Sequence, residues 1–199
     1  MRPEDRRQQI LRCALAEAAR LGLERARPSD VARAAGVAVS TVFHYFPTRE
    51  ELALGIVEEV DRFLLEDLLA ATEDPTRPAP QVIEAILMVF RDAIDTHEDY
   101  IRVWLEWSVS VRGGLWRRYL VFYRAALDGI GAILARGVAQ GAIRPGTDLK
   151  VAARVVVSLA HMVAQMSFSG ATADDVAATV HSLMKAYLEH APPGVTSPE

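Results

Sequence analysis

The chain has 199 residues, enough for one domain with a large core or for a small domain joined to a larger one. Half of its residues are hydrophobic and a quarter are charged, which excludes a disordered chain, and its one cysteine, Cys13, excludes a disulfide within the chain. The net charge of −4 divides unevenly: nine arginines against six acids leave +3 on residues 1–50, and thirteen basic against twenty acidic residues leave −7 on the rest. Positive potential is therefore concentrated where a polyanion would be met.

The lone cysteine fits a reducing compartment. No apolar core of the signal-peptide kind follows the N-terminal Met1-Arg2-Pro3. The longest apolar stretch, Val151–Met166, is interrupted by Arg154, Ser158, His161 and Gln165, which argues against a membrane span. A soluble, cytoplasmic protein without a membrane partner is expected.

Helix signals run almost throughout the sequence. Ile10, Leu11, Ala14, Leu15, Ala18 and Leu21 form a helical stripe over Glu4–Gly22, with Gly22 as the stop. Pro28-Ser29-Asp30 opens a short second helix, whose buried face is Val31, Ala32 and Ala35, and Gly36 breaks it. Val39–Tyr45 is a third short helix, halted by Pro47. Thr48 and Glu51 have capping-box spacing, and a fourth helix follows to about Ala71. Thr72–Pro80, with three prolines, reads as a loop. Helices are then expected over Gln81–Thr96, Asp99–Val111, Leu115–Gln140, Thr147–Phe168 and Thr172–His190, and Ala191–Glu199 reads as a disordered tail. About nine helices with short connections predict an all-α protein. The expected division is an N-terminal three-helix domain over 1–47 and a helical domain over 48–190, with 48–71 as the connecting helix.

Three short helices with a glycine-containing turn between the second and third match helix-turn-helix geometry. Val31, Ala32, Ala35, Val37 and Val42 can build a small core under the first helix, leaving Val39, Ser40, Thr41, His44 and Tyr45 on or near the outer face of the third. Such a helix can enter the DNA major groove with its N-terminal residues on base edges, where hydroxyls donate or accept. His44, Tyr45, Thr48 and Arg49 can reach phosphate oxygens, as can Arg27 and Ser29 at the start of the second helix.

The run Ala35-Gly36-Val37-Ala38-Val39-Ser40-Thr41-Val42-Phe43-His44-Tyr45-Phe46-Pro47-Thr48-Arg49-Glu50-Glu51-Leu52 closely resembles the signature of the TetR family of regulators. Together with Val103-Trp104-Leu105-Glu106-Trp107-Ser108, followed by Arg112 and Trp116, it looks most like the LuxR/HapR-type quorum-sensing branch. The chain departs from that branch in two places: His44 stands where the branch has Asn, and only Met1-Arg2-Pro3 precedes the first helix where the branch has a basic arm. The resemblance implies an N-terminal helix-turn-helix domain, a C-terminal helical ligand-binding and dimerisation domain, and a homodimer on a pseudo-palindromic operator.

The last two helices carry apolar stripes, and pattern alone leaves two uses open: packing inside one chain or pairing with a second copy. The resemblance implies a four-helix dimer interface, through Val156, Ala160, Val163, Val176, Val180, Leu183, Met184 and Tyr187. It likewise implies a mainly apolar ligand pocket lined by Leu64, Trp104, Trp107, Leu127, Val155, Leu159 and Met162, with Glu106, His161 and Gln165 as polar members. Read from composition, the same aromatic cluster is ordinary core, His161 an interior histidine and Glu106 a paired structural carboxylate.

His44, His97, His161, His181 and His190 have no metal-ligand spacing, and no nucleophile elbow or dinucleotide loop is found. No metal, cofactor or enzymatic activity is expected. The leading reading is a sequence-specific DNA-binding regulator, modulated by a small apolar or amphipathic ligand. The alternative is a helical protein-interaction module with a vestigial DNA-binding domain.

Overall fold

The computed structural model describes residues 2–188. Among these the order is α1 Pro3–Leu21, α2 Pro28–Ala35, α3 Val39–Tyr45, α4 Arg49–Arg62, a π-helical segment Phe63–Ala70, α5 Ala79–Thr96, α6 Glu98–Val109, α7 Gly113–Ala139, α8 Leu149–Phe168 and α9 Ala173–Tyr187. No extended strand forms among the described residues, so the protein is all-α as its periodicities predict; Ile143 alone has bridge geometry. The expected tail 191–199 and the last two positions of the expected helix 172–190 lie outside the described residues.

The helix ends follow local chemistry. Gly22 ends α1 at φ 100° and donates its N–H to the Ala18 carbonyl, while Gly36 ends α2 in the left-handed region at φ 65°, ψ 36°. The Thr48 hydroxyl accepts from the Glu51 N–H at 3.1 Å, but the return bond of a capping box is not formed. Thr172 and Asp175 do make a full box: Thr172 accepts from the Asp175 N–H at 3.1 Å, and the Thr172 N–H donates back to the carboxylate at 3.1 Å. Asp148, rather than Thr147, caps α8, accepting from the N–H groups of Lys150 and Val151.

The expected fourth helix continues past Arg62, but Phe63–Ala70 within it is π-helical. Arg62 bonds both oxygens of Asp67, five positions on, at 3.0 and 3.1 Å. That spacing suits the wider π turn, in which the backbone bonds run from residue i to i+5.

The chain clusters into two compact units, whose borders do not follow the expected break after residue 47. Among the described residues, one unit runs to Asp67 and resumes at Ala93–Arg124; the other takes Leu68–Asp92 and residues 125–188. In the first unit α1 packs on α2, α4 and α6, burying Ile10, Ala14 and Ala18 completely. Each large apolar side chain taken out of water in this way contributes about 1.5–3 kcal/mol. In the second unit α8 packs on α9, and Val163, Val176 and Met184 are fully buried.

Sequence reading discounted α8 as a membrane span because polar residues interrupt it. Over its 20 residues, however, its best eighteen-residue window has a mean hydropathy of 1.4, which is long and apolar enough to cross a bilayer by length and composition. Here it contacts α9, and Ala152, Val156 and Val163 are buried within the chain.

Candidate nucleic-acid interface

α2 and α3 are joined by the three-residue turn Gly36-Val37-Ala38. Val42 is the single fully buried residue of α3 and fixes the helix by pointing into the small core with Val31 and Ala32. At 100° per residue, Ser40 and His44 then lie opposite the core, and both are exposed. Val39 is also exposed, while Thr41 and Tyr45 are half-buried at the margins of the same face. The Tyr45 ring meets that of His44 edge-on, with centroids 5.0 Å apart. Arg27, Ser29, Thr48 and Arg49 are exposed as well. The structure thus brings the nine DNA-contact candidates to the accessible side of α2, α3 and the start of α4. The Thr48 oxygen already accepts the Glu51 N–H, so only its hydroxyl hydrogen is free to donate to a phosphate.

Sequence reasoning passed over Phe43. Its side chain is 44% exposed, one position past the buried Val42 and one turn after Val39. Phe43 sits about 100° round the helix from Val42, on the side that α3 leaves exposed. An exposed aromatic ring at this place can pack on a thymine methyl.

The support beneath this face is specific. Phe46 is buried under the Arg7 guanidinium, 5.0 Å from the ring centroid. Gly55 of α4 lets the ring approach, since a Cβ there would lie 2.9 Å from its Cε1. Gln9 of α1 donates to the Ala35 carbonyl at 3.1 Å, tying α1 to the end of α2. Glu106 of α6 accepts the Leu23 N–H on both carboxylate oxygens, at 2.9 and 2.8 Å.

That contact corrects the placement of Glu106 among the pocket residues: its carboxylate is spent on the corner between α1 and α2. Trp104, Trp107 and Leu64 are buried in the first unit. Trp107 donates its Nε1–H to the Leu115 carbonyl at 2.8 Å and packs against Tyr119 and Phe122, so it is a core residue of that unit. Leu127, Val155, Leu159, His161 and Met162 are half-buried and Gln165 is exposed, all in the second unit. Burial holds the His161 imidazole below its ordinary pKa. A surface cleft of about 350 Å³ lies in the first unit, lined by Leu23, Glu24, Arg49, Glu50, Ala53, Leu54, Gly114 and Leu115. None of the pocket candidates lines it.

The candidates for the dimer interface also divide. Val156, Val163, Val176, Val180 and Met184 are buried within the chain. Ala160 is half-buried. Leu183 and Tyr187 remain exposed, at 38% and 37%, as do Val151 and Phe168 on α8. A helix with apolar residues on two faces gives the same periodicity whichever face meets the chain's own core, so pattern alone does not separate the two uses.

A three-helix module that exposes the face of its third helix, followed by further helices, is the architecture of a helix-turn-helix regulator. Residues 10–56 match the family described as bacterial regulatory proteins, tetR family. Residues 10–56 thus match that family's N-terminal domain, and the described helices behind them share the fold of the solved TetR-like structures. It is 34% identical over 122 residues to the HTH-type transcriptional regulator LuxR of Vibrio harveyi, a match covering 61% of this chain and 59% of that protein. The chain therefore spans under two thirds of that relative's length. A TetR-family transcriptional regulator from Agrobacterium tumefaciens superimposes with a TM-score of 0.79 at 17% identity, over 94% of this chain and all of that one. FadR of Bacillus subtilis, in complex with stearoyl-CoA, superimposes with a TM-score of 0.72 at 21% identity, over 89% of this chain and 95% of that one.

Proposed function

We propose that the protein is a sequence-specific DNA-binding transcriptional regulator that acts as a homodimer on a pseudo-palindromic operator. The observation that carries this is the outer face of α3, where Val39, Ser40, Phe43 and His44 are exposed around a single buried anchor, Val42. Hydroxyl, imidazole and apolar groups on one helix face suit base-edge contact in the major groove. Arg27, Ser29, Tyr45, Thr48 and Arg49 then contact the phosphates on either side, which positions the helix without reading sequence.

The dimer would use the exposed part of α8 and α9, with Leu183 and Tyr187 at its centre. A two-fold dimer sets two half-sites about 34–36 Å apart, one helical turn of DNA. The likeness to the LuxR-named relative supports a regulator of that quorum-sensing type. The neighbour solved with stearoyl-CoA supports an apolar or amphipathic ligand, taken up in this chain among half-buried α8 residues such as Val155, Leu159 and Met162. Such a ligand acts by its different affinities for the DNA-binding and non-binding conformations. A cytoplasmic location follows from that role.

The test is selection of random duplexes by the purified protein, followed by sequencing. The expected result is an inverted repeat with fixed spacing, and Tyr45→Ala or Thr41→Ala should weaken binding to it by about tenfold or more with the fold intact. Absence of any enriched sequence at low salt, where phosphate contacts are strongest, would overturn the reading and favour a protein partner.

A further inference from the structure

We infer that Glu106 is a positioning residue for the helix-turn-helix: its carboxylate clasps the corner between α1 and α2 and thereby sets the pose of α2 and α3. The inference rests on the DNA-binding reading above and assigns the control of that same face.

The Leu23 N–H lies just past the end of α1, beside a buried side chain, and points away from any helical partner. Both oxygens of Glu106 converge on it at 2.9 and 2.8 Å. A charged acceptor makes this stronger than an ordinary amide bond. Gly22 is shaped to the same contact: a Cβ there would lie 3.3 Å from Glu106 Oε1, and the residue holds φ at +100°.

The corner transmits what Glu106 imposes. The Gly22 carbonyl accepts the N–H groups of Arg25 and Ala26 at 2.9 and 3.0 Å, and the Arg27 carbonyl accepts those of Asp30 and Val31 at 2.9 and 3.1 Å. A rigid turn thus runs from the clasped Leu23 into the first turn of α2, and α2 packs on α3. At its other end the clasp is braced. Trp107, the next residue of α6, is fully buried and bonded to the Leu115 carbonyl at 2.8 Å, so the α6 backbone under Glu106 is fixed. α6 therefore dictates where α2 and α3 sit through one carboxylate, and base contacts in a groove are lost with displacements of about an ångström.

The experiment compares full-length wild type, E106A, E106D and E106Q by backbone amide exchange and by affinity for the selected operator and for a random duplex. E106D keeps the charge but shortens the reach; E106Q keeps the reach and an acceptor oxygen. For E106A and E106D, exchange over residues 23–46 should rise by about tenfold with residues 149–187 unchanged. Operator affinity should fall by about tenfold while affinity for random duplex, carried by phosphate charge, changes less than about threefold. E106Q should stay within about threefold of wild type in both measurements. Wild-type protection of 23–46 in E106D, or equal loss of protection throughout the chain, would overturn the assignment. If E106A does not fold, E106D carries the comparison. Should the wild type select no sequence, the DNA-binding reading falls, while the exchange data still decide whether Glu106 holds the corner.

Discussion

Asp61 on α4 is buried to 7% exposure and paired with Arg118 of α7, whose side chain keeps partial contact with solvent. Burial pushes its carboxyl above the ordinary value near 3.8, more than the Arg118 charge and hydrogen bond pull it down, and Glu58 and Glu66 add to the rise. A carboxyl raised in the folded state favours folding while protonated and loses that advantage as pH rises through its folded pKa. Arg118 limits the loss. Removing it in Arg118→Leu leaves a buried charge uncompensated, which costs about 3 kcal/mol at neutral pH. Its deficit relative to wild type should shrink as pH falls through the raised folded pKa of Asp61, which lies above 3.8. Urea unfolding of both proteins at several pH values checks this, and a deficit independent of pH would mean that packing, not charge, is what Arg118 supplies. At this scale the sequence was legible where a residue's setting is local. Ser40 and His44 follow from the α3 repeat, but the Asp61–Arg118 and Glu106–Leu23 partners lie 57 and 83 positions apart, and no pattern connects them.

Among the elements, two interior glycines of α7, Gly131 and Gly137, have opposite surroundings. A Cβ on Gly137 would lie 2.6 Å from both Ala79 Cβ and Ile143 Cδ1, whereas one on Gly131 would meet nothing within 4 Å. Glycine inside a helix costs roughly 1 kcal/mol relative to alanine. Gly131→Ala should therefore stabilise the protein by about 0.5–1 kcal/mol, a rise in Tm of a few degrees. Gly137→Ala should destabilise it by about 1–3 kcal/mol, because forcing apart packed groups outweighs the helix gain. Thermal unfolding of the two variants measures both signs. Identical shifts would show that α7 is not packed as described. The sequence located α7 to within two residues at its start and one at its end, yet it could not rank these glycines, since propensity is the same at both positions. It also missed the π-helical turn Phe63–Ala70, whose apolar residues read equally well at α spacing.

At the scale of the whole molecule, the exposed Leu183 and Tyr187 make the sharpest test of assembly. Replacing both with glutamate puts charge on the proposed two-fold contact without touching the chain's own core. Sedimentation should then report a particle of half the wild-type mass, and operator affinity should drop by about tenfold or more, because each half-site must be bound alone. A double variant that remains dimeric and binds as before would place the interface elsewhere. The same substitution at Val176 or Val180 would unfold the chain instead, as both are buried inside it.

From the sequence by itself came the all-α class, the helix-turn-helix, its exposed face and most helix ends. These depend on periodicity, caps and glycines, which act within one or two turns. Only the tertiary structure decided which apolar residues are buried in the chain and which stay exposed, and that Glu106 bonds the Leu23 N–H at the α1–α2 corner. It also showed that α6 and the start of α7 cluster with α1, α2 and α3. The physical reason is common to all three: burial and pairing are set by which surfaces meet across long chain separations, and a one-dimensional pattern records that a face is apolar without recording what covers it.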